Sequence, residues 1–468
     1  MSEIETLKAG LPKTEKPKTL ATETKLFNKN FILLWQGQFV SRLGNQVYLL
    51  AMILWIKSTF DDVSAANYIG LLGMLGGIPA VLLSAVGGAV ADRFSRRKII
   101  IYSDLLNGIT VLALAAMFYL MPGQPEIVLL GVFAANVLGA VLSSFFGPAI
   151  SAAIPDIVPE ERVAGANSMG QLSLQAAQFF GMGAGGMLLR IMGAPLLVLI
   201  DGITYIFSAI SESFIKIPQV IPEESAKIKD AMRAFKVDIV EGVRYIFSNK
   251  GLRNLLFVSI FTTFFTAPIT VLLPFYIEYT LSASDVTWFG PLLVVYGIGT
   301  LIGYVASGLF KIRGDTRKKL MILFLILDGI GTMILGFMRN PYQAAALILV
   351  GGMTSGFIIV NITTLLQITT PSNIRGRVFG ALTAISGSIA PIGMGLSGPA
   401  ANLVGLPQIH YIFIGCGLIM ACLSVGISMD KNFRKFISYR SKDEPEEYTG
   451  FHYTIRMFDP NKRYAENQ

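Results

Sequence analysis

Five ionisable residues stand inside long apolar stretches of this chain: Arg42, Asp104, Asp201, Glu212 and Asp328. A charge surrounded by hydrocarbon is costly, so each needs a partner, water or a proton. Arg42 lies eleven residues beyond Phe31, about 16 Å along a helix at 1.5 Å per residue. Its candidate partners are Asp104 and Asp201, with Glu212 behind them. Asp328 sits midway through a later apolar stretch. Two chemistries fit such residues. A carboxylate can take a proton from one face of a membrane and release it at the other, or Arg42 and an acid can form a permanent ion pair between helices. For Arg42 with Asp201 both readings stand. No Gly-x-x-x-x-Gly-Lys-Ser/Thr is present, nor Gly-x-Ser-x-Gly or His-Glu-x-x-His, so nothing points to ATP, a hydrolase or a metalloprotease. Cys416 and Cys422 fall on different faces of one helix and supply neither a disulfide framework nor a metal site. The expectation is no catalytic residue, no cofactor and no metal.

The elements that must position these groups follow from composition. The chain is 53% apolar and only 15% charged over 468 residues, too little charge to cover a soluble protein of this length. Apolar runs recur at the roughly twenty residues a bilayer core requires. Turn and charge signals divide them into Phe31–Trp55, Tyr68–Ala91, Ile99–Leu120, Ile127–Ala149, Asn167–Ile191 and Pro195–Ile217. Beyond residues 218–254 follow Leu255–Leu281, Trp288–Phe310, Leu320–Phe337, Ala344–Leu366, Val378–Val404 and Ile409–Met429. The expected fold is an all-α membrane protein of twelve crossings. Tails span 1–30 and 430–468, and six-helix bundles span 31–217 and 255–429. Within the linker, Ile228–Phe247 has the spacing of a helix lying along the membrane surface.

All but four of the 38 lysines and arginines fall on one side of this arrangement. The exceptions are Arg42, Lys57, Arg190 and Arg339. Positive-inside asymmetry places that side, and both termini, in the cytoplasm. The net charge of +8 is therefore a topology signal, not a nucleic-acid surface. Two stretches repeat: Lys98-Ile-Ile-Ile with Asn107-Gly108-Ile109 matches Lys319-Leu-Met-Ile with Asp328-Gly329-Ile330, and Ala149–Val163 echoes Asn361–Arg375. A duplicated six-helix unit would place a substrate site at the interface of the repeats.

The loop after the second run reads Gly87-Gly88-Ala89-Val90-Ala91-Asp92-Arg93-Phe94-Ser95-Arg96-Arg97-Lys98. Its glycines allow close helix approach, and its acid and bases can form a charge network or simply anchor topology. The loop resembles the signature Gly-x-x-x-Asp-Arg-x-x-Arg-Arg/Lys of the major facilitator superfamily, with Gly88, Asp92, Arg93, Arg96 and Arg97 filling the pattern. The copy near Gly303–Lys319 keeps Arg317, Lys318 and Lys319 but has no acid at the same spacing. Phe27-Asn28-x-Asn30-Phe31, Ser41–Asn45, Pro155–Pro159, Asp238–Tyr245 and Arg375–Gly380 look like the macrolide-efflux and siderophore-export branch. Gly181–Gly186 is similar to the antiporter motif Gly-Pro-x-x-Gly-Gly, with Met182 in place of proline; packing through Gly181 and Gly185 is the simpler reading.

The resemblance implies a cavity lined by the first, fourth, seventh and tenth helices. Its candidates are Gln38, Arg42 and Asn45; Asn136 and Ser143; Thr262, Phe265, Thr266 and Thr270; and Thr354, Ser355 and Asn361. It also implies gating by the signature loop with Asp156 and Arg377. Asp104, Asp201 and Asp328 then sit on supporting helices, which implies structural roles; related exporters often carry an aspartate where this sequence has Asn45 on the first helix, so a first-helix proton carrier is missing here. The implied function is proton-coupled export of an amphipathic small molecule by a monomer in the cell membrane of a bacterium. The alternatives are a lysophospholipid flippase and a non-transporting membrane sensor.

Overall fold

The computed structural model describes residues 25–219, 239–309, 314–371 and 374–439. Its elements are α1 (Lys29–Thr59), α2 (Asp62–Arg93), α3 (Arg96–Leu120), α4 (Pro125–Ile157), α5 (Val163–Ser213), α6 (239–248), α7 (Lys250–Tyr279), α8 (Asp285–Leu309), α9 (Gly314–Leu335), α10 (Pro341–Thr369), α11 (Arg375–Val404), α12 (His410–Ser428) and α13 (Lys431–Ile437). No strand occurs among the described residues. Among the described residues, ten stretches are long and apolar enough to cross a bilayer; α9 and the opening of α5 fall short of that measure.

Helix ends obey the capping chemistry of their sequences. Asn28 Oδ1 accepts from Phe31 N–H at 2.9 Å, while its Nδ2 donates to Ile157 O at 2.7 Å. Asn30 Oδ1 accepts from Lys216 N–H at 3.1 Å. The opening Asn-x-Asn thus ties the start of α1 to the ends of α4 and α5. Hydrogen bonds from Ser64 at the start of α2 hold the Asp61 carboxyl below the usual carboxylate range. The fifth and sixth apolar runs are two helical arms of α5 that part at Gly193, whose non-helical φ of 74° and ψ of 161° suit glycine alone. Pro195 follows the bend. Of the expected surface helix Ile228–Phe247, only 239–247 lies within the described residues, and it is helical.

The helices pack as two equivalent sets. α1 lies against α5, α2 against α4 and α3 against the second arm of α5; correspondingly α7 lies against α11, α8 against α10 and α9 against α12. The repeat is visible at atomic level. A Cβ on Gly108 would meet Ile206 Cδ1 at 2.6 Å, and one on Gly329 would strike the backbone of Ala421. Each repeat glycine is thus the contact between a half's third helix and its sixth run.

The sets meet along α2 with α11 and α5 with α8. Gly77 faces Pro391, Gly398 faces Asn67, and Gly183 faces Val294. These contacts fall toward the end where α1 and α7 finish. There a single hydrophobic core joins Leu50, Leu54 and Ile56 of α1 with Ile69 of α2 and Leu272, Phe275 and Tyr276 of α7. At the opposite, lysine- and arginine-rich end, each set keeps its own core. One contains Phe31, Ile100 and Ile154; the other contains Leu252, Val378 and Phe436. The molecule is closed across the halves at its far end and divided at its basic end.

Candidate functional site

Arg42 is held by α1 and α5. Its Nη2 donates to Gln38 Oε1 at 2.8 Å, one turn earlier on α1, and its Nη1 donates to Gly170 O at 3.0 Å. Asp104 of α3 acts on Arg42 electrostatically. Three carboxylates share this interior: Asp104, Asp201 and Glu212 are 2%, 0% and 1% exposed. Asp201 Oδ1 is reached by Thr204 Oγ1 at 3.4 Å. A Cβ on Gly44 would lie 2.6 Å from that same oxygen, so the glycine of Ser41–Asn45 makes room for the acid. Asp104 Oδ2, Asp201 Oδ2 and both oxygens of Glu212 have no hydrogen-bond partner among the described residues. Sequence reasoning placed Glu212 last among the acids; its enclosure depends on which face of α5 turns inward, and no motif marks it.

The other expected cavity residues divide by what they touch. Asn45 Nδ2 donates to Tyr205 OH at 3.1 Å, inside the N-terminal half. Asn136 Nδ2 donates to Leu72 O of α2 at 2.6 Å, and Ser143 is exposed. Thr262 donates to Val258 O of its own helix at 2.6 Å, as membrane threonines commonly do. Thr266 and Thr270 are exposed, while Phe265 is half-buried against the shared core beside Phe264. Thr354 donates to Gly351 O at 2.9 Å. Asn361 donates to Phe357 O at 2.9 Å and reaches Ser307 of α8 at 3.4 Å. In the C-terminal half, half-buried Asp328 lies beside Ser355, which also neighbours Tyr296.

At the basic end, Arg96 is the centre of the signature loop. Its Nη1 donates to Asp156 Oδ2 at 2.6 Å and to Ala152 O at 3.0 Å, and Gln219 Oε1 caps its backbone N–H at 2.8 Å. Arg97 donates to Ser213 O, and Arg93 is half-buried. The side chain of Asp92 lies outside the described residues. Arg377 Nη1 pairs with Glu241 Oε2 of α6 at 2.6 Å. Asp156 is thus paired with the signature loop of its own half, and Arg377 with the linker helix α6. The close approach is made by Gly87, which abuts Ser144 O, whereas a Cβ on Gly88 would meet nothing. Gly181 and Gly185 pack on Gln46 and Leu50 of α1, and Gly183 turns to α8 across the halves. Both surfaces of the glycine run are used for packing.

Comparison with known proteins accords with this architecture. The chain is 26% identical over 368 residues to the multidrug efflux pump Tap of Mycolicibacterium fortuitum, covering 76% of this chain and 85% of that one. It is 24% identical over 416 residues to macrolide efflux protein A of Streptococcus pyogenes, covering 86% and 96%. The fold is similar to the crystal structure of a D-xylose–proton symporter, with a TM-score of 0.65 at 14% identity over 86% of this chain and 99% of the other. The family model of the Major Facilitator Superfamily matches residues 34–394. A two-fold helical membrane architecture and a match over most of its length make this chain a multi-pass transporter of the Major Facilitator Superfamily.

Proposed function

We propose that the chain is a secondary exporter, moving an amphipathic small molecule outward in exchange for protons by alternating access. The observation that carries this reading is its similarity to two efflux proteins over most of its length. Export requires a site that faces each side in turn. The two packed halves, joined at one end and divided at the other, are built for such rocking. Positive-inside asymmetry makes the divided end cytoplasmic, with both termini there after twelve crossings. The protein works as a monomer, since each chain carries both halves of the pathway.

Proton coupling is supported by the mismatch in the N-terminal half, which buries three carboxylates, Asp104, Asp201 and Glu212, with Asp104 alone acting on the Arg42 guanidinium. Asp328 supplies a further acid in the other half. The signature loop, through Gly88, Asp92, Arg93, Arg96 and Arg97, controls closure of the cytoplasmic side. The substrate cavity draws on Gln38, Arg42 and Asn45, on Asn136 and Ser143, and on Thr262, Phe265, Thr266, Thr270 and Asn361. Phenylalanines beside hydroxyls and amides suit a large amphipathic ligand better than a sugar phosphate.

One observation favours a second reading. An apolar groove of about 520 Å³ runs along the seam of α5 and α8, lined by Phe179, Ile298, Leu301, Ile302, Val305 and Leu309. It is the kind of lateral surface an acyl chain would follow, as in a lysophospholipid flippase. The deciding experiment is transport in proteoliposomes under an imposed pH gradient, with macrolides, siderophores, dyes and lysophospholipids as substrates. Gradient-driven export of a drug-like compound is the expected result. Transport with no gradient dependence would remove the antiport reading, and lysophospholipid movement alone would favour the flippase.

A further inference from the structure

Lys57 is the last cation of α1, and its side chain is only 6% exposed. It is not among the residues that the sequence marks for function. Its ammonium lies 3.0 Å from Asp62 Oδ1, in the same half, and is paired with Glu278 Oε2 of α7, in the opposite half. The ring of Phe275, also on α7, stands with its centroid 4.7 Å from the Nζ. Tyr279 OH, one residue beyond Glu278, donates to Asp62 Oδ2. The cation and the acid of the α1–α2 turn are therefore each gripped from α7.

We propose that this cluster is the latch that holds the far end of the transporter shut, with Lys57 as its central positioning residue. The proposal rests on the alternating-access reading. Three features argue for a latch over a fixed structural pair. First, the cluster spans the halves at the end where they share one core, so any separation there must break it. Second, its contacts are unequal in what separation does to them. Lys57–Asp62 stays within one half and survives, whereas Lys57–Glu278, Lys57–Phe275 and Tyr279–Asp62 are lost together. The ammonium keeps a carboxylate as water enters, so opening strands no buried charge, the outcome that makes breaking such pairs prohibitive. Third, the partners are graded in exposure. The Asp62 side chain is 26% exposed and that of Glu278 is 48%, so the half that moves away supplies the more readily rehydrated acid. Such a contact biases an equilibrium between two packed states without fixing it.

The test uses the full chain in lipid, with Cys422→Ser and nitroxide labels on Ser58→Cys and Thr287→Cys, exposed positions on opposite halves at the far end. Pulsed electron resonance reads the distance distribution between them. The parent should show a dominant short distance and a minor long one that exchange with pH or transported compound. Glu278→Gln and Tyr279→Phe, at the solvent-facing end of α7, should each raise the long-to-short ratio, Glu278→Gln by about tenfold, the yield of a modest loss of interaction energy. The exchange Lys57→Glu with Glu278→Lys should bring the ratio back toward the parent. Two distances that ignore Glu278→Gln would overturn the latch and leave alternating access standing. A single distance in parent and variants under every condition would overturn both.

Discussion

Arg42 and Asp104 allow a direct choice between a permanent ion pair and a proton-exchanging group. Arg42 makes two charge-assisted hydrogen bonds, to Gln38 and to Gly170 O. The bond to Gly170 O, which joins α1 to α5, is worth roughly 1 kcal/mol, and the bond to Gln38 lies within α1. Asp104 acts on it through space, and coupling between interacting charged residues runs to roughly 2 kcal/mol. Arg42→Met should therefore cost about 3–5 kcal/mol, since it also leaves buried acceptors without a donor. Asp104→Asn, which keeps the shape and removes the charge, should cost less. If both groups are charged in the resting protein, the double variant will be more stable than the sum of the two losses by about 2 kcal/mol. The assay is reversible unfolding in mixed micelles at pH 8 and again at pH 5. A coupling that is present at pH 8 and falls away at pH 5 identifies a carboxylate that exchanges its proton in that window. Additive losses within about 0.5 kcal/mol at both pH values would refute the idea that Asp104 is the electrostatic partner of Arg42.

Two further outcomes are expected. Gly329→Leu should disrupt the α9–α12 contact, because any Cβ there meets the backbone of Ala421, while Gly351→Ala on α10 has open space and should be neutral; equal melting temperatures for the two proteins would contradict the packing. Asp92→Asn should slow transport without preventing membrane insertion, and wild-type export by that variant would exclude the signature loop from closure of the basic end.

Much of the fold was legible because a bilayer imposes strong and simple rules. Every backbone polar group must be satisfied within its own helix, so each crossing writes a run of about twenty apolar residues into the chain. Breaks are equally local: the Gly193–Pro195 bend and the Asn28 cap depend on a few adjacent residues. The pairing of Gly108 with Gly329 was readable as a repeat, since duplicated packing demands the same small residue twice.

What the sequence by itself determined, then, is the helical membrane class, the doubled architecture, the asymmetry of charge and the short roll of polar groups within apolar runs. Only the tertiary structure decided which of those groups meet. Helices that are apolar nearly all round carry no face that tells inside from outside. Their polar side chains are therefore assigned neighbours by packing alone. That is why Glu212 is enclosed in the same half as Asp104 and Asp201, why Asn45 turns to Tyr205, and why Gly87 rather than Gly88 takes the close contact. It is also why Lys57, an ordinary cation at a helix end in the sequence, stands between two carboxylates whose positions are 216 residues apart (278 − 62) and which only the docking of α7 on the α1–α2 turn brings together.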